Sequence, residues 1–281
     1  MAFFDVIKKS LAMYRMNLIL VFPPLVAMVF QLISSLITLL PSISRASPGF
    51  APELMILIFA VFGVMILSLI VSFLVILGQA IMTGKVIQEG KTKLSDWGKG
   101  IKRYFLRALG ISLVYFGIMF VSFILVMIVF MFAILPQLIS QISGDMSLGT
   151  PLIPPLTLVL MSLVSALLTT ATSAIFYTWL APAVLDDKGV SASLKAGTEA
   201  IGKRRKTFLG FVIFFFLVNF VPTLLTGTSL TQYTYPVTMM QSAYLGYVTP
   251  MRVVSQVVTA IFSPLWFLIA FTIYSEQKTV T

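Results

Sequence analysis

The chain has 281 residues, of which 59 % are hydrophobic and only 10 % charged, with a mean hydropathy of +1.04. A soluble domain carries about 25 % charged residues, so this composition describes an integral membrane protein. The formal charge is +10 and the chain contains neither Cys nor His; that excludes disulfides, thiol nucleophiles, Cys/His zinc sites, haem held by either residue, and histidine acid–base chemistry.

A membrane span needs about 20 mostly apolar residues. Six such runs stand at 17–40, 54–83, 105–135, 156–181, 207–226 and 253–274. The second and third are longer than a bilayer requires, so tilting or projection into the headgroup layer is expected. Lys8, Lys9 and Arg15 precede the first run as the n-region of a signal peptide would. The run is too long for an h-region and lacks a small-x-small site, so it is read as a retained span. Pro23 and Pro24 lie inside it; they remove two backbone donors and predict a bend, with a hinge as the functional alternative. Pro136, Pro151, Pro154 and Pro155 bracket the loop between the third and fourth spans.

Every Lys and Arg except Arg45 and Arg252 falls on one side of these spans. The positive-inside rule makes that side cytoplasmic. It holds both termini and carries the entire +10, because Glu53 and Asp145 balance the two outer arginines. The expected location is therefore the cell membrane, multi-pass, with both termini inside.

A short amphipathic segment precedes each outward-going span. Phe4, Ile7, Leu11 and Tyr14 alternate with charges in the first, and Leu94, Trp97, Ile101 and Tyr104 in the second. This 3-4-3 spacing places the apolar side chains on one helical face. The third keeps Leu194, Ile201 and Phe208 but departs at Gly197 and Arg204. Acidic residues close each hairpin of spans at Glu89, Asp187 and Glu276. The expected fold is thus all-α: one integral membrane domain over 1–281, with six transmembrane helices in three parallel hairpin repeats at about 4–89, 94–187 and 194–276. Each repeat begins with an interfacial helix at the cytoplasmic side.

The stretch LAPAVLDDKGVSASLKAGTEAIGKRRKTFLGF, set between two hairpins, resembles a family of poorly characterised six-helix membrane proteins, similar to the membrane domain attached to some glycerophosphodiester phosphodiesterases. The likeness rests on Pro182 near a span end, Asp186, Asp187 and Gly189, then a basic amphipathic helix running into an apolar span. It implies a fold. It does not carry the phosphodiesterase activity over, since no such catalytic domain accompanies these spans.

Three sets of residues are candidate sites. Lys99, Lys102, Arg103, Arg107, Lys203, Arg204, Arg205 and Lys206 suit anionic lipid headgroups at the cytoplasmic face, or simply anchor the fold. Ser162, Ala166, Thr169, Thr170, Ala174 and Thr178 recur along the fourth span, as a close-packing face or as a hydroxyl-lined groove. Tyr233, Tyr235, Tyr244 and Tyr247 sit in an uncharged outer segment suited to the membrane interface or to a partner. No catalytic, cofactor or metal residues are assigned, and no nucleic-acid partner is expected.

Intramembrane charge usually marks function, and the span centres here contain none, only amides and hydroxyls such as Gln31, Gln79, Asn219 and Gln256. A non-catalytic structural or accessory subunit, organising lipids or partner proteins and forming a homo-oligomer or joining a larger membrane complex, is the leading expectation. A transporter or lipid translocase using the fourth-span groove is the alternative. An enzyme would have to use Asp186, Asp187 or Glu89.

Overall fold

The computed structural model describes residues 3–44, 51–142, 155–225 and 250–277. They form eight α-helices and no strand among the described residues: α1 (Phe3–Met16), α2 (Phe22–Ser44), α3 (Ala51–Glu89), α4 (Leu94–Ile142), α5 (Pro155–Leu185), α6 (Val190–Lys203), α7 (Arg205–Leu225) and α8 (Pro250–Gln277). A 3₁₀ turn, Leu18–Val21, joins α1 to α2. Four helices are long and apolar enough to cross a membrane, and a fifth if the pair bent by 92° around Asn17 counts as one. The four are parts of α3, α4, α5 and α8.

Packing is concentrated at one end of the bundle, where α3, α5 and α8 terminate and where the basic residues gather. It is called the basic end below. The second half of α8 is the hub: Leu265 to Tyr274 are buried without exception. It packs against α1, α2, α3, α5, α6 and α7. Its rings interlock with neighbours, Phe267 with Tyr177 at 4.4 Å and Trp266 with Phe215 at 4.4 Å between centroids. Away from this end one flank of α4 is bare: Phe116, Phe120, Phe123, Val129 and Phe132 are all exposed. Such a surface is stable only against acyl chains or another apolar body.

Two prolines interrupt the helical hydrogen-bond ladder in and beside the hub. Pro264 in α8 has no N–H to give the Ala260 carbonyl. The Tyr14 hydroxyl, from α1, donates to the Ile261 carbonyl there at 2.6 Å. Pro182 likewise removes the helical donor of the Thr178 carbonyl in α5. That carbonyl faces Gly197 of α6, where a Cβ would stand 3.0 Å from it and 2.7 Å from the Trp179 ring.

The amphipathic segments differ from expectation in three ways. The first buries Val6, Ser10 and Tyr14, while Phe4 and Leu11 point outward. The third starts at Val190 and buries Ser193, Gly197 and Ala200. Gly197 is therefore the centre of its packing face, a small-residue stripe that lets α6 lie close on α5. The second is the opening of α4, continuous with the apolar run, whereas α1 and α6 break from their following helices at Asn17 and Arg204.

Gly197→Ala is expected to destabilise the protein by about 1–3 kcal/mol through overpacking. Gly202→Ala, in the same helix but facing open space, is expected to stabilise it by roughly 0.5–1 kcal/mol, as alanine usually does in a helix. Thermal unfolding in detergent reads both, and equal effects would contradict the packing assigned to α6.

Candidate functional site

A helix ends with backbone carbonyls that its own amides cannot satisfy. Near an apolar medium those carbonyls need donors from elsewhere. At the basic end three helices finish, and each has at least one such donor at or just beyond its end; α5 also has the Gln88 side-chain amide, which donates to the Leu185 carbonyl at 2.8 Å. Asn17, at the break after α1, donates its side-chain amide to the Gly90 carbonyl just beyond α3, at 3.1 Å. Arg107, in α4, donates to the Asp187 carbonyl just beyond α5, at 3.0 Å. Arg204, at the break after α6, donates to the Glu276 carbonyl near the end of α8, at 3.0 Å. In chain order the donors stand 73, 80 and 72 residues ahead of their acceptors. Gly90 and Asp187 both have positive φ, 76° and 57°. Glycine adopts that conformation without steric cost and aspartate tolerates it, which lets the chain turn sharply after α3 and α5.

Each clamp is reinforced. Asn17 is buried, gives its other amide hydrogen to the Met13 carbonyl at 3.0 Å, and accepts the Thr92 N–H at 3.3 Å. Asp96 accepts the Lys93 N–H at 2.9 Å, the N-terminal cap of α4, and pairs with Lys85 at 3.4 Å. The Asp187 carboxylate is gripped by Arg103 at 2.9 Å and by Arg107. Those two hydrogen-bonded guanidiniums hold its carboxyl below the ordinary value of 3.8. Asp186 accepts the Tyr274 hydroxyl at 2.6 Å, and that hydroxyl accepts Lys188 at 3.2 Å. The Glu276 side chain pairs with Lys9 at 3.0 Å, joining α1 to α8.

The sequence-predicted basic set therefore divides. Arg103 and Arg107 lock the α5–α6 turn, and Arg204 caps α8. Lys99, Lys102, Lys203, Arg205 and Lys206 are exposed. The acidic residues on which an enzyme reading would draw, Asp186, Asp187 and Glu89, all lie in ion pairs with nearby cations.

The every-fourth row of α5 turns inward, while Thr169 of the adjacent row does not. Thr170, Ala174 and Thr178 are buried, Ala166 is half-buried and Thr169 is exposed. The Thr178 hydroxyl donates to the Ala174 carbonyl at 2.9 Å, and the Thr172 hydroxyl to the Leu168 carbonyl at 2.9 Å. Ser173 pairs with Tyr115 of α4 at 3.2 Å. These hydroxyls serve their own helix or a packed neighbour. The Ser162 side chain and the outer tyrosines Tyr233, Tyr235, Tyr244 and Tyr247 lie outside the described residues.

Sequence reasoning missed Asn17, Tyr14 and Tyr274 as hydrogen-bonding residues. Their signal was a polar atom on a side chain next to a break or a proline, which is visible but ambiguous without the partner. It noted Gln79 without a role. Gln79 is 1 % exposed, and neither end of its amide has a hydrogen-bond partner; Thr83 and Ser112 are buried in the same condition.

No family model, curated protein or solved structure matches the chain.

Three outcomes follow from this geometry. Asn17→Ala is expected to cost about 1 kcal/mol, since it removes the side-chain partner of the Gly90 and Met13 carbonyls and of the Thr92 N–H. Gln79→Leu should be neutral or stabilising, because it removes an unsatisfied buried amide while keeping its volume. The folded state depresses the Asp187 pKa, so its contribution is complete above the ordinary carboxylate value and disappears as pH falls through the depressed one. Asp187→Asn should flatten the loss of thermal stability below about pH 4; an unchanged acid limb would remove the clamp's role.

Proposed function

We propose that this chain is a non-catalytic multi-pass membrane protein, a structural or accessory subunit that organises lipids or partner proteins at the membrane. The observation that carries this reading is the use of its polar groups. The charged and amide side chains at the basic end cap helix ends and tie hairpins together, and the hydroxyls of α5 serve packing. A translocation path along α5 would instead need those hydroxyls aligned on one accessible face.

The fuller architecture belongs to the same proposal. Six helices cross the membrane, with α2 and α7 joining α3, α4, α5 and α8, in three hairpins of equal orientation. The three clamps support a threefold repeat: each joins the start of one hairpin to the end of the same hairpin, and the donors are spaced 90 and 97 residues apart in the sequence. The restriction of unbalanced charge to one end supports a cytoplasmic placement of both termini. The helical hairpins and the polar turn at Asp186–Asp187 are compatible with the six-helix family that the sequence resembles. Exposed lysines and arginines at the basic end would face anionic headgroups, and the bare apolar flank of α4 would face lipid or a partner.

The natural chain has no cysteine, so single substitutions report topology directly. Lys99→Cys and Lys203→Cys should resist a membrane-impermeant maleimide in intact cells, and Tyr235→Cys should react. Labelling of all three from outside would end the six-span reading. Gentle detergent extraction should yield a stoichiometric complex or a homo-oligomer. A lone monomer that sustains solute or lipid flux in liposomes, with flux abolished by Thr170→Leu, would establish the transporter reading instead.

A further inference from the structure

Several cations at the basic end already have a task. Arg103 and Arg107 hold Asp187, Lys9 holds Glu276, Lys85 holds Glu89 and Asp96, and Arg204 caps α8. Of the cations left exposed and unpaired among the described residues, Lys203, Arg205 and Lys206 form the densest run. They flank the bend between α6 and α7, all three are exposed, and among the described residues none has a side-chain ion pair or hydrogen bond. Three like charges so close along the chain favour an anion near the bend, by an amount that water and salt reduce.

The surface that continues from this bend has a second chemistry. Lys206, Leu209, Ile213 and Leu217 follow each other at i, i+3, i+7 and i+11, one face of α7. Leu209, Ile213 and Leu217 are all exposed. The face rises about 16 Å from Lys206 to Leu217, close to the roughly 15 Å of one leaflet's hydrocarbon. One flank is bounded by the start of α1: the Phe3 ring packs on Phe214 with centroids 6.2 Å apart, and Phe4 beside it is 73 % exposed.

An acidic peptide or a soluble anion would use the cations and leave the leucine stripe unused. A molecule with an anionic head and one long apolar tail uses both. We infer that one anionic phospholipid of the leaflet at the basic end binds at the α6–α7 bend, its phosphate held by Lys203, Arg205 and Lys206 and an acyl chain lying along Leu209, Ile213 and Leu217. Arg205 supplies a planar fork suited to phosphate oxygens, and the two lysines supply point charges. This rests on the proposed membrane placement of the basic end, but it is narrower: it names one seat, where general attraction would spread over every exposed cation.

The test is native mass spectrometry of the full chain in detergent with added dioleoyl phosphatidylglycerol or phosphatidylcholine. The site predicts retention of one phosphatidylglycerol, reduced about a hundredfold in the K203Q/R205Q/K206Q variant, in line with the attraction that three cations contribute near a membrane surface. A charge-matched variant at exposed positions away from the bend, K91Q/K93Q/K195Q, should change retention by less than about twofold. Ile213→Asn should weaken the dioleoyl lipid and leave a dihexanoyl phosphatidylglycerol unaffected. Equal losses in the two triple variants would overturn the seat while leaving general attraction of anionic lipid intact. No loss in either would overturn both. Full displacement by inorganic phosphate, with Ile213→Asn silent, would make this a free-anion site and overturn the lipid assignment. Circular dichroism of each variant must match the native chain, and Lys206→Gln alone, with a partial loss expected, keeps the test decisive if the triple variant unfolds.

Discussion

The carbonyls at the end of a helix are the constraint on which this structure depends. A helix running through an apolar medium satisfies its interior hydrogen bonds by itself and arrives at its terminus with acceptors left over. Here α3, α5 and α8 reach the same end of the bundle, and carbonyls at or just beyond their ends accept from Asn17, Arg107 and Arg204. These donors sit where α1 turns into α2, inside α4, and where α6 turns into α7. Capping the returning helix thereby fixes the angle at which the outgoing one departs. The partial negative charge at a helix C-terminus also favours the two guanidinium groups.

Around those clamps the packing follows. The buried half of α8 lies among six other helices, and the turn before its proline accepts a hydroxyl from α1. Helix α6 comes close to α5 because Gly197 and its small neighbours allow it. The Asp186–Asp187 turn links α4, α5, α6 and α8 through two arginines, a lysine and a tyrosine. Interior order is thus concentrated at one end. The far half of α4 is left to whatever apolar medium surrounds it, which is the opposite of a soluble bundle, where the longest helix would be the most covered.

Much of the candidate site was legible as residue types and little of it as partners. Asp187 and Glu276 stood out because each closes a hairpin beside a run of cations. Arg103, Arg107 and Arg204 were grouped with the lipid-facing cations because a sequence shows charge near a membrane and not which carboxylate or carbonyl it meets. The row on α5 was visible as a periodicity of four, and its described members Ala166, Thr170, Ala174 and Thr178 turn inward together; Thr169, about 100° around the helix from Thr170, faces out. Gly197 read as a flaw in an amphipathic stripe because it has no side chain; in the fold that absence is what brings two backbones together.

The amino-acid sequence alone determined the all-helical, apolar class of the protein, the position of its apolar runs and the excess of cations between them. Each of these depends on composition along the chain, and water and hydrocarbon discriminate strongly between charged and apolar residues. Only the tertiary structure decided which face of α1 and α6 turns inward, which arginines are tied to helix ends, and which three cations stay open at the α6–α7 bend. Hydropathy cannot make those choices in a membrane protein: lipid tails are as apolar as a packed core, so burial against a neighbouring helix is selected by small residues, shape and hydrogen bonds. Those become readable only once the helices lie side by side.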